Sequence, residues 1–395
     1  MTEIVRVGVI GIGDISSVYL NNLKNYADVV KVTACASRGL EKAQKKAQEH
    51  GIDKAYASAE ELIADPEIDV ILNLTTPEFH GVYNMAALRA GKHVYSEKPL
   101  AASFAEGQQI MEFAREKNLY VGCAPDTFMG SRLQTMRSLI DDGTLGDITG
   151  ASAFVISHGH EWHHPNPDFF YQPGAGPLLD IGPYYVTALL ALLGPVKNIC
   201  AMSNRAFATR TVQTQPLKGQ SIQVNTDTNI SAVLEFECGA VVTLVTSFDV
   251  WDSELPRMEL YGTKGTVTVK DIDPVDGPNL FGGEVLLRTQ ENYRWVGMPR
   301  EIESVRKEWT QVQIRHAFNS TSHQENFRGV GLVDMVYAIR AGRPGRASGT
   351  MALHALDVME GILRSAQEKT FVVPTTTCVR PEPLLPAKSN ADVIF

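Results

Sequence analysis

A β-branched run, Ile4 to Ile10, gives way directly to Gly11-Ile12-Gly13-Asp14-Ile15-Ser16 and then to an amphipathic segment, and little else narrows the fold so far. Two glycines placed so let the backbone turn tightly, while the N–H groups and positive dipole end of the following helix favour an anion such as a pyrophosphate. A serine stands where a third glycine is usual, small enough for close packing of helix on strand. The strand–turn–helix context assigns Gly11, Ile12, Gly13, Asp14 and Ile15 to binding a dinucleotide cofactor.

The pattern then repeats. Strands are expected over Ile4–Ile10, Val29–Cys35, Lys54–Ala57, Val70–Leu74, His93–Ser96 and Leu119–Cys123. Helices are expected from Ile15 to Tyr26, Leu40 to His50, His80 to Ala90 and Ser103 to Lys117. Alternation of this kind builds a doubly wound parallel sheet, the Rossmann dinucleotide fold. Beyond a helix at Arg132–Asp141 the pattern turns to strands: Ala151–Ser157, Val196–Met202, Asn229–Phe236, Ala240–Phe248, Arg257–Tyr261 and Thr266–Val269. One long helix, Leu178–Leu193, interrupts them, and helices at Phe327–Ala341 and Gly349–Gln367 follow. The segment Asp271–Pro299 reads as a loop or an extra hairpin. We expect an α/β protein with an N-terminal Rossmann domain over 1–124 and, over 125–395, an α+β domain with a large, mostly antiparallel open sheet.

Composition excludes several classes. With 395 residues, 44% of them hydrophobic and 21% charged, the chain can bury two cores without metal or disulfide staples. A formal charge of −9 would repel a nucleic acid backbone. Five cysteines without CxxC spacing suggest neither a disulfide framework nor a zinc finger, and no apolar run approaches the roughly 20 residues of a membrane span. With no signal-peptide pattern at the start, a cytoplasmic location is expected.

In such sheets ligands lie outside the carboxyl ends of the strands. The second strand ends in Ser37-Arg38 with no acidic residue, offering a hydroxyl and a guanidinium to a ribose phosphate, so NADP(H) is favoured over NAD(H); a merely solvated Arg38 would leave the choice undecided. The fourth strand ends in Thr75-Thr76-Pro77-Glu78-Phe79-His80 and the fifth in Ser96-Glu97-Lys98-Pro99. Thr75, Thr76, Pro77, His80, Glu97 and Lys98 therefore join the cofactor-binding set, and Lys98 becomes a candidate catalyst.

Together with Gly174-Ala-Gly-Pro-Leu-Leu-Asp180-Ile-Gly-Pro-Tyr184, these motifs resemble the Gfo/Idh/MocA family of sugar and polyol oxidoreductases, and the resemblance runs through nearly the whole chain. It implies hydride transfer between a nicotinamide and a secondary alcohol or ketone of a sugar, glycoside or polyol, in a cleft between two domains. Most members carry Asp and His four residues apart; here Asp180 is paired with Tyr184. On one helix, that spacing would put both on one face, able to share a substrate hydroxyl. Lys98, Asp180 and Tyr184 are the catalytic candidates. Tyr184 or Lys98 would transfer the proton, unless Tyr184 merely packs beneath the helix.

His158-Gly-His160-Glu161-Trp162-His163-His164-Pro165 borders the same cleft by analogy. Four histidines and a glutamate invite a metal reading, but the rigid proline-rich loop favours sugar recognition, by His160 and Trp162 along with Lys98, Asp180 and Tyr184; no metal site is assigned. Alternatives to a dehydrogenase are a glycosidase that oxidises C3 transiently with tightly held NAD, and a non-catalytic nucleotide sensor. Val233, Val241, Leu244 and Val245 are expected on the open sheet face, pairing subunits into a homodimer or homotetramer.

Overall fold

The structure is a computed structural model that describes residues 4–270, 282–289, 309–318, 326–387 and 389–395. Val5–Ile10 (β1), Val30–Ala36 (β2), Lys54–Tyr56 (β3), Val70–Asn73 (β4), His93–Ser96 (β5) and Val121–Cys123 (β6) form one parallel sheet in the order β3-β2-β1-β4-β5-β6. The order reverses beside β1, which opens a crevice at the carboxyl ends of β1 and β4. Helices Ser16–Leu23 (α1), Leu40–His50 (α2), Ala59–Ala64 (α3), Pro77–Arg89 (α4) and Phe104–Lys117 (α5) connect the strands. Val7, Val9, Val70 and Leu72 are fully buried, as strands covered on both faces must be.

Local signals set these helix ends. Ser58 and Ser103 accept hydrogen bonds from the N–H groups of Glu61 and Glu106, and the carboxylates of those glutamates accept in turn from the N–H groups of Ala57 and Ala102. Each cap satisfies donors the helix leaves open. α3 is absent from the sequence reading because its six residues are too few to show a period.

The second layer begins with Ser131–Asp141 (α6) and Ile148–Ile156 (β7). Gly176–Asp180 (α7) and Gly182–Leu193 (α8) follow, so the single helix expected over Leu178–Leu193 is two. The break falls at Ile181 because Pro183 has no N–H to continue a helix and belongs in a first turn. All twelve residues of α8 are buried, as its nearly continuous apolar sequence requires.

Val196–Asn204 (β8), Asn229–Phe236 (β11), Val241–Ser247 (β12), Met258–Gly262 (β13), Gly265–Val269 (β14), Leu286–Thr289 (β15) and Thr310–Gln311 (β16) join β7 in one sheet, while Thr209–Thr211 (β9) and Ser221–Gln223 (β10), unforeseen in the sequence, form a separate ribbon. The pairing is mostly antiparallel, but β7 and β12 run parallel at its centre, which makes the sheet mixed. Most of 271–299 lies outside the described residues; within it Leu286–Thr289 pairs with β14. On the outer face Val233 and Val241 are 46% and 51% exposed, as expected, and Val245 is half-buried. Leu244 faces the other way and is buried, since alternate residues of a strand point to opposite faces and Leu244 shares the parity of Val242.

Val330–Ala341 (α9) returns to pack on α1 and β6, and Gly349–Glu368 (α10) lies against α5 and β6 on one side and β8 and α8 on the other. This shared packing seats the second sheet beside the carboxyl ends of the first. No helix among the described residues is long and apolar enough to cross a membrane.

Candidate active site

At the β1 turn, Gly11 has φ +87°, and a Cβ there would stand 2.6 Å from backbone atoms of Leu74 and Thr75. Only glycine fits. At Gly13 the reverse holds: an added Cβ meets nothing within 4 Å, so this backbone faces open space at the mouth of α1. Ser16 is buried, and its hydroxyl donates to the Gly13 carbonyl at 2.6 Å, which ties the turn to the helix and accounts for a serine in the third position. The turn is the wall of a pocket of about 320 Å³ that continues over Ser37, Arg38, Thr75, Thr76 and Phe79 to Tyr83. Lys42, one turn into α2, adds a second cation beside Arg38, and Glu60 adds one acid. Lys42 is a contributor that the sequence reading overlooked.

The residues fit a dinucleotide: a glycine backbone with vacant space before a helix N-terminus, then hydroxyl and cationic groups at the end of β2. His80 is different from the expectation. It is buried, with Nδ1 2.6 Å from the Pro99 carbonyl oxygen and Nε2 2.9 Å from that of Thr75. The ring braces the β4 and β5 loops from beneath and has no nitrogen left for a ligand. Glu97 is also engaged, accepting from the Tyr19 hydroxyl at 2.8 Å and the Lys98 N–H at 2.9 Å. Its carboxylate anchors the Lys98 loop to α1.

Lys98 projects toward the break between α7 and α8. Its Nζ donates to the Asp180 carbonyl at 2.6 Å and to Asp180 Oδ1 at 3.2 Å. Burial acts to lower the Lys98 pKa, but the attraction of Asp180, with Tyr184 and Glu97, outweighs it and holds the ammonium above its ordinary value. For Asp180, burial acts upward, and Lys98 and His160 together hold the carboxyl below the ordinary carboxylate value. The pair is an ammonium and a carboxylate.

Tyr184 does not share a helix face with Asp180, because Asp180 ends α7 and Tyr184 lies in α8. Its ring lies under Lys98, with Nζ 5.4 Å from the centroid, and its hydroxyl accepts from Arg328 Nη2 at 3.0 Å. Both residues therefore meet Lys98, one through charge and the other through its π face. Arg328 escaped the sequence reading because it lies 144 residues from Tyr184 with no local pattern. Asp126 positions its neighbours: the carboxylate accepts from the N–H groups of Gly329 and Gly331 at 2.8 and 2.9 Å.

The histidine loop disperses. His158 stacks on Trp251 at 3.3 Å between ring centroids, and His164 Nδ1 accepts from the Asn166 N–H. Glu161 is buried against Arg210 and Tyr171. Among the described residues, no three His, Cys, Asp or Glu side chains converge on a metal position. His160 reaches the site but not as a free ligand: Nε2 is 2.9 Å from Asp180 Oδ2 and Nδ1 is 3.0 Å from His163 Nε2. Trp162 is 51% exposed and Trp251, which the sequence reading passed over, 71%. Their rings are 6.0 Å apart, an aromatic rim suited to the apolar face of a sugar or ring.

Comparisons with known proteins agree with this geometry. Residues 5–124 match the profile of the oxidoreductase family with an NAD-binding Rossmann fold, and residues 133–268 match the GFO/IDH/MocA C-terminal domain. The chain is 34% identical over 193 residues to trans-1,2-dihydrobenzene-1,2-diol dehydrogenase of Macaca fuscata fuscata, covering 49% of this chain and 57% of that one. It is 26% identical over 248 residues to 1,5-anhydro-D-fructose reductase of Ensifer adhaerens, covering 61% and 69%. The alignment thus spans little more than half of the macaque enzyme. Among solved structures, an NAD binding oxidoreductase from Klebsiella pneumoniae superposes with a TM-score of 0.78 at 19% identity, covering 95% of this chain and all of that one. Levoglucosan dehydrogenase in complex with NADH gives 0.77 at 18%, again over 95% and 100%. With the parallel sheet, the glycine turn and the Lys98 loop matched by one profile of the family and the second sheet from β7 through most of β14 by another, the chain belongs to the Gfo/Idh/MocA oxidoreductases.

Proposed function

We propose that the protein is an NADP(H)-dependent oxidoreductase that interconverts a secondary alcohol and a ketone on a sugar, polyol or cyclic diol. The observation that carries the reading is the Lys98–Asp180 pair beside the glycine cradle: two N–H groups of the ammonium rest on Asp180, which leaves the third for a substrate oxygen. Bound nicotinamide supplies the chemistry of accepting or giving hydride. In reduction Lys98 polarises the ketone oxygen and gives it a proton; in oxidation Lys98 takes the carbinol proton while passing one of its own to Asp180. Tyr184, its hydroxyl held by Arg328, forms the floor on which Lys98 stands. Trp162 and Trp251 receive the substrate ring, and His160 serves from behind Asp180.

Arg38 and Lys42 facing one acid, Glu60, support a 2′-phosphate and hence NADP(H) over NAD(H). The names of the diol, anhydrofructose and levoglucosan enzymes support the substrate class. Met202, Val233 and Val241, 70%, 46% and 51% exposed on the outer sheet face, support a homodimer or homotetramer. The test is a panel of levoglucosan, 1,5-anhydro-D-fructose and trans-1,2-dihydrobenzene-1,2-diol assayed with each cofactor, beside Lys98→Ala. Loss of turnover by about 10²-fold or more is expected from removing a positioned acid or base; full activity in the variant would refute the assignment. Turnover of a glycoside without net cofactor reduction would favour the transient-oxidation glycosidase instead.

A further inference from the structure

The ribbon of β9 and β10 belongs to neither large sheet, yet it delivers one charged side chain to the interior. Arg210 is the middle residue of β9 and turns inward between the exposed Thr209 and Thr211, its side chain 3% exposed. Val212, Ile222 and Val224 pack with Tyr171 and Phe248 in a small core of their own. The same Phe248 meets the edge of the His160 ring at 4.9 Å, so the ribbon is fixed against the candidate active site.

The guanidinium lies between two chain segments. On one side Nη1 donates to Glu161 Oε1 at 2.6 Å and to the His158 carbonyl at 3.2 Å; on the other Nη2 donates to the Phe248 carbonyl at 2.8 Å and to Asp249 Oδ1. Each carboxylate accepts once more, Glu161 from the Tyr171 hydroxyl and Asp249 from the Thr228 hydroxyl at 2.7 Å. The planar fork of an arginine can serve four acceptors on two sides at once; an ammonium has three donors at a single point.

Each segment carries one tryptophan of the rim. Trp162 follows Glu161 directly, and Trp251 stands two residues after Asp249. The ladder between the parallel strands β7 and β12 ends at Ile156 and Ser247, and one further backbone bond, from the Val250 N–H to the Ser157 carbonyl, lies beyond it. From there outward the segments meet through Arg210 and through the stacked rings of His158 and Trp251. Arg210 also backs Phe207, 4.8 Å from its ring centroid, and Phe207 meets the His158 ring edge-on at 6.1 Å. The rings of His158, Trp162, Phe207 and Trp251 thus share one support.

We propose that Arg210 is a positioning residue for substrate binding, setting the spacing and tilt of Trp162 and Trp251 in the rim that receives the substrate ring; the inference rests on the oxidoreductase reading. Arg210 touches neither Lys98 nor the glycine cradle, so its effect falls on affinity for a ring. Its Asp249 arm holds the Trp251 segment alone. Its Glu161 arm also steadies His160, whose backbone N–H donates to the Tyr171 hydroxyl at 3.1 Å.

The experiment uses the full chain and two variants. Arg210→Lys keeps a positive charge for the two carboxylates and removes the fork. Asp249→Ala opens the Trp251 arm and leaves Arg210 paired with Glu161, so no buried charge is stranded; if Arg210→Lys does not fold, this variant decides alone. With centroids 6.0 Å apart, the two indoles couple as excitons, and Trp251→Phe identifies their couplet in the far-ultraviolet circular dichroism of the ligand-free protein by removing it. In both variants the couplet is expected to shrink. With the best cyclic substrate of the panel KM should rise about three- to tenfold, the size of one aromatic contact, while kcat and NADPH affinity of Asp249→Ala stay within about twofold of wild type. An unchanged couplet, an unchanged KM, or kcat and NADPH affinity that fall in step with KM would overturn the proposal and leave the oxidoreductase reading intact. Should wild type turn over no substrate, that reading falls, while the couplet still reports whether Arg210 holds the rim.

Discussion

Gly13→Ala separates the cofactor site from the fold, because its added methyl touches no protein atom. Gly13 lies outside the left-handed region and its added methyl meets nothing within 4 Å, so stability should stay within about 0.5 kcal/mol of wild type, as at an uncrowded surface position. The methyl instead occupies the space that a pyrophosphate needs for close approach to the backbone. Affinity for the dinucleotide should fall at least about tenfold, or 1.4 kcal/mol. Gly11→Ala is the contrasting perturbation. There φ is +87° and the methyl would stand 2.6 Å from the Leu74 carbonyl, so backbone strain of about 1–3 kcal/mol is expected before any repair of the clash. Denaturant melts and fluorescence titration of NADPH, run on both variants, give the two quantities independently. A Gly13→Ala protein that binds NADPH like wild type would refute the cradle.

Three further outcomes follow from the same geometry. Asp180→Asn removes an attraction of about 5 kcal/mol at 3.2 Å, taking an effective dielectric near 20, and leaves the buried ammonium unpaired; the Lys98 pKa should drop, kcat should fall more than KM rises, and an unaltered kcat would count against the pair. Arg38→Ala with Lys42→Ala should weaken NADPH while sparing NADH, so that the preference narrows; equal losses for both would dismiss the phosphate role. Asp65, bonded to Lys54 and to the Tyr56 hydroxyl at 2.8 Å each, is held down to about 2 from 3.8 by Lys54 first, burial opposing. A depressed carboxylate stabilises the fold above its unfolded pKa and loses that contribution as pH falls through its folded one. Asp65→Asn should therefore be less stable than wild type at pH 7 and indistinguishable from it below about 2, as urea melts across pH would report.

Local rules made the first half of the chain legible. Leu40–His50 begins after Gly39 and ends at Gly51 in the left-handed conformation, and each of the six parallel strands lies within a residue or two of its expected span. The positions of Gly11, Gly13, Ser37, Arg38 and Lys98 just beyond the carboxyl ends of β1, β2 and β5 were also readable, because each follows directly on its strand. Other features depend on chain segments far apart in sequence. Arg328 meets Tyr184 and Arg210 braces the loop of His160 across long stretches of chain, and Trp251 pairs with Trp162 only because β7 and β12, which precede them, lie side by side in the second sheet. His80 and Glu97 carry recognisable motif letters, yet their partners are the Pro99 and Thr75 carbonyls and the Tyr19 hydroxyl. Periodicity and turn chemistry act over a few residues and are written into the order of the chain. The pairing of a buried charge or ring is settled by which groups can satisfy it at the end of folding, and that belongs to the tertiary structure alone.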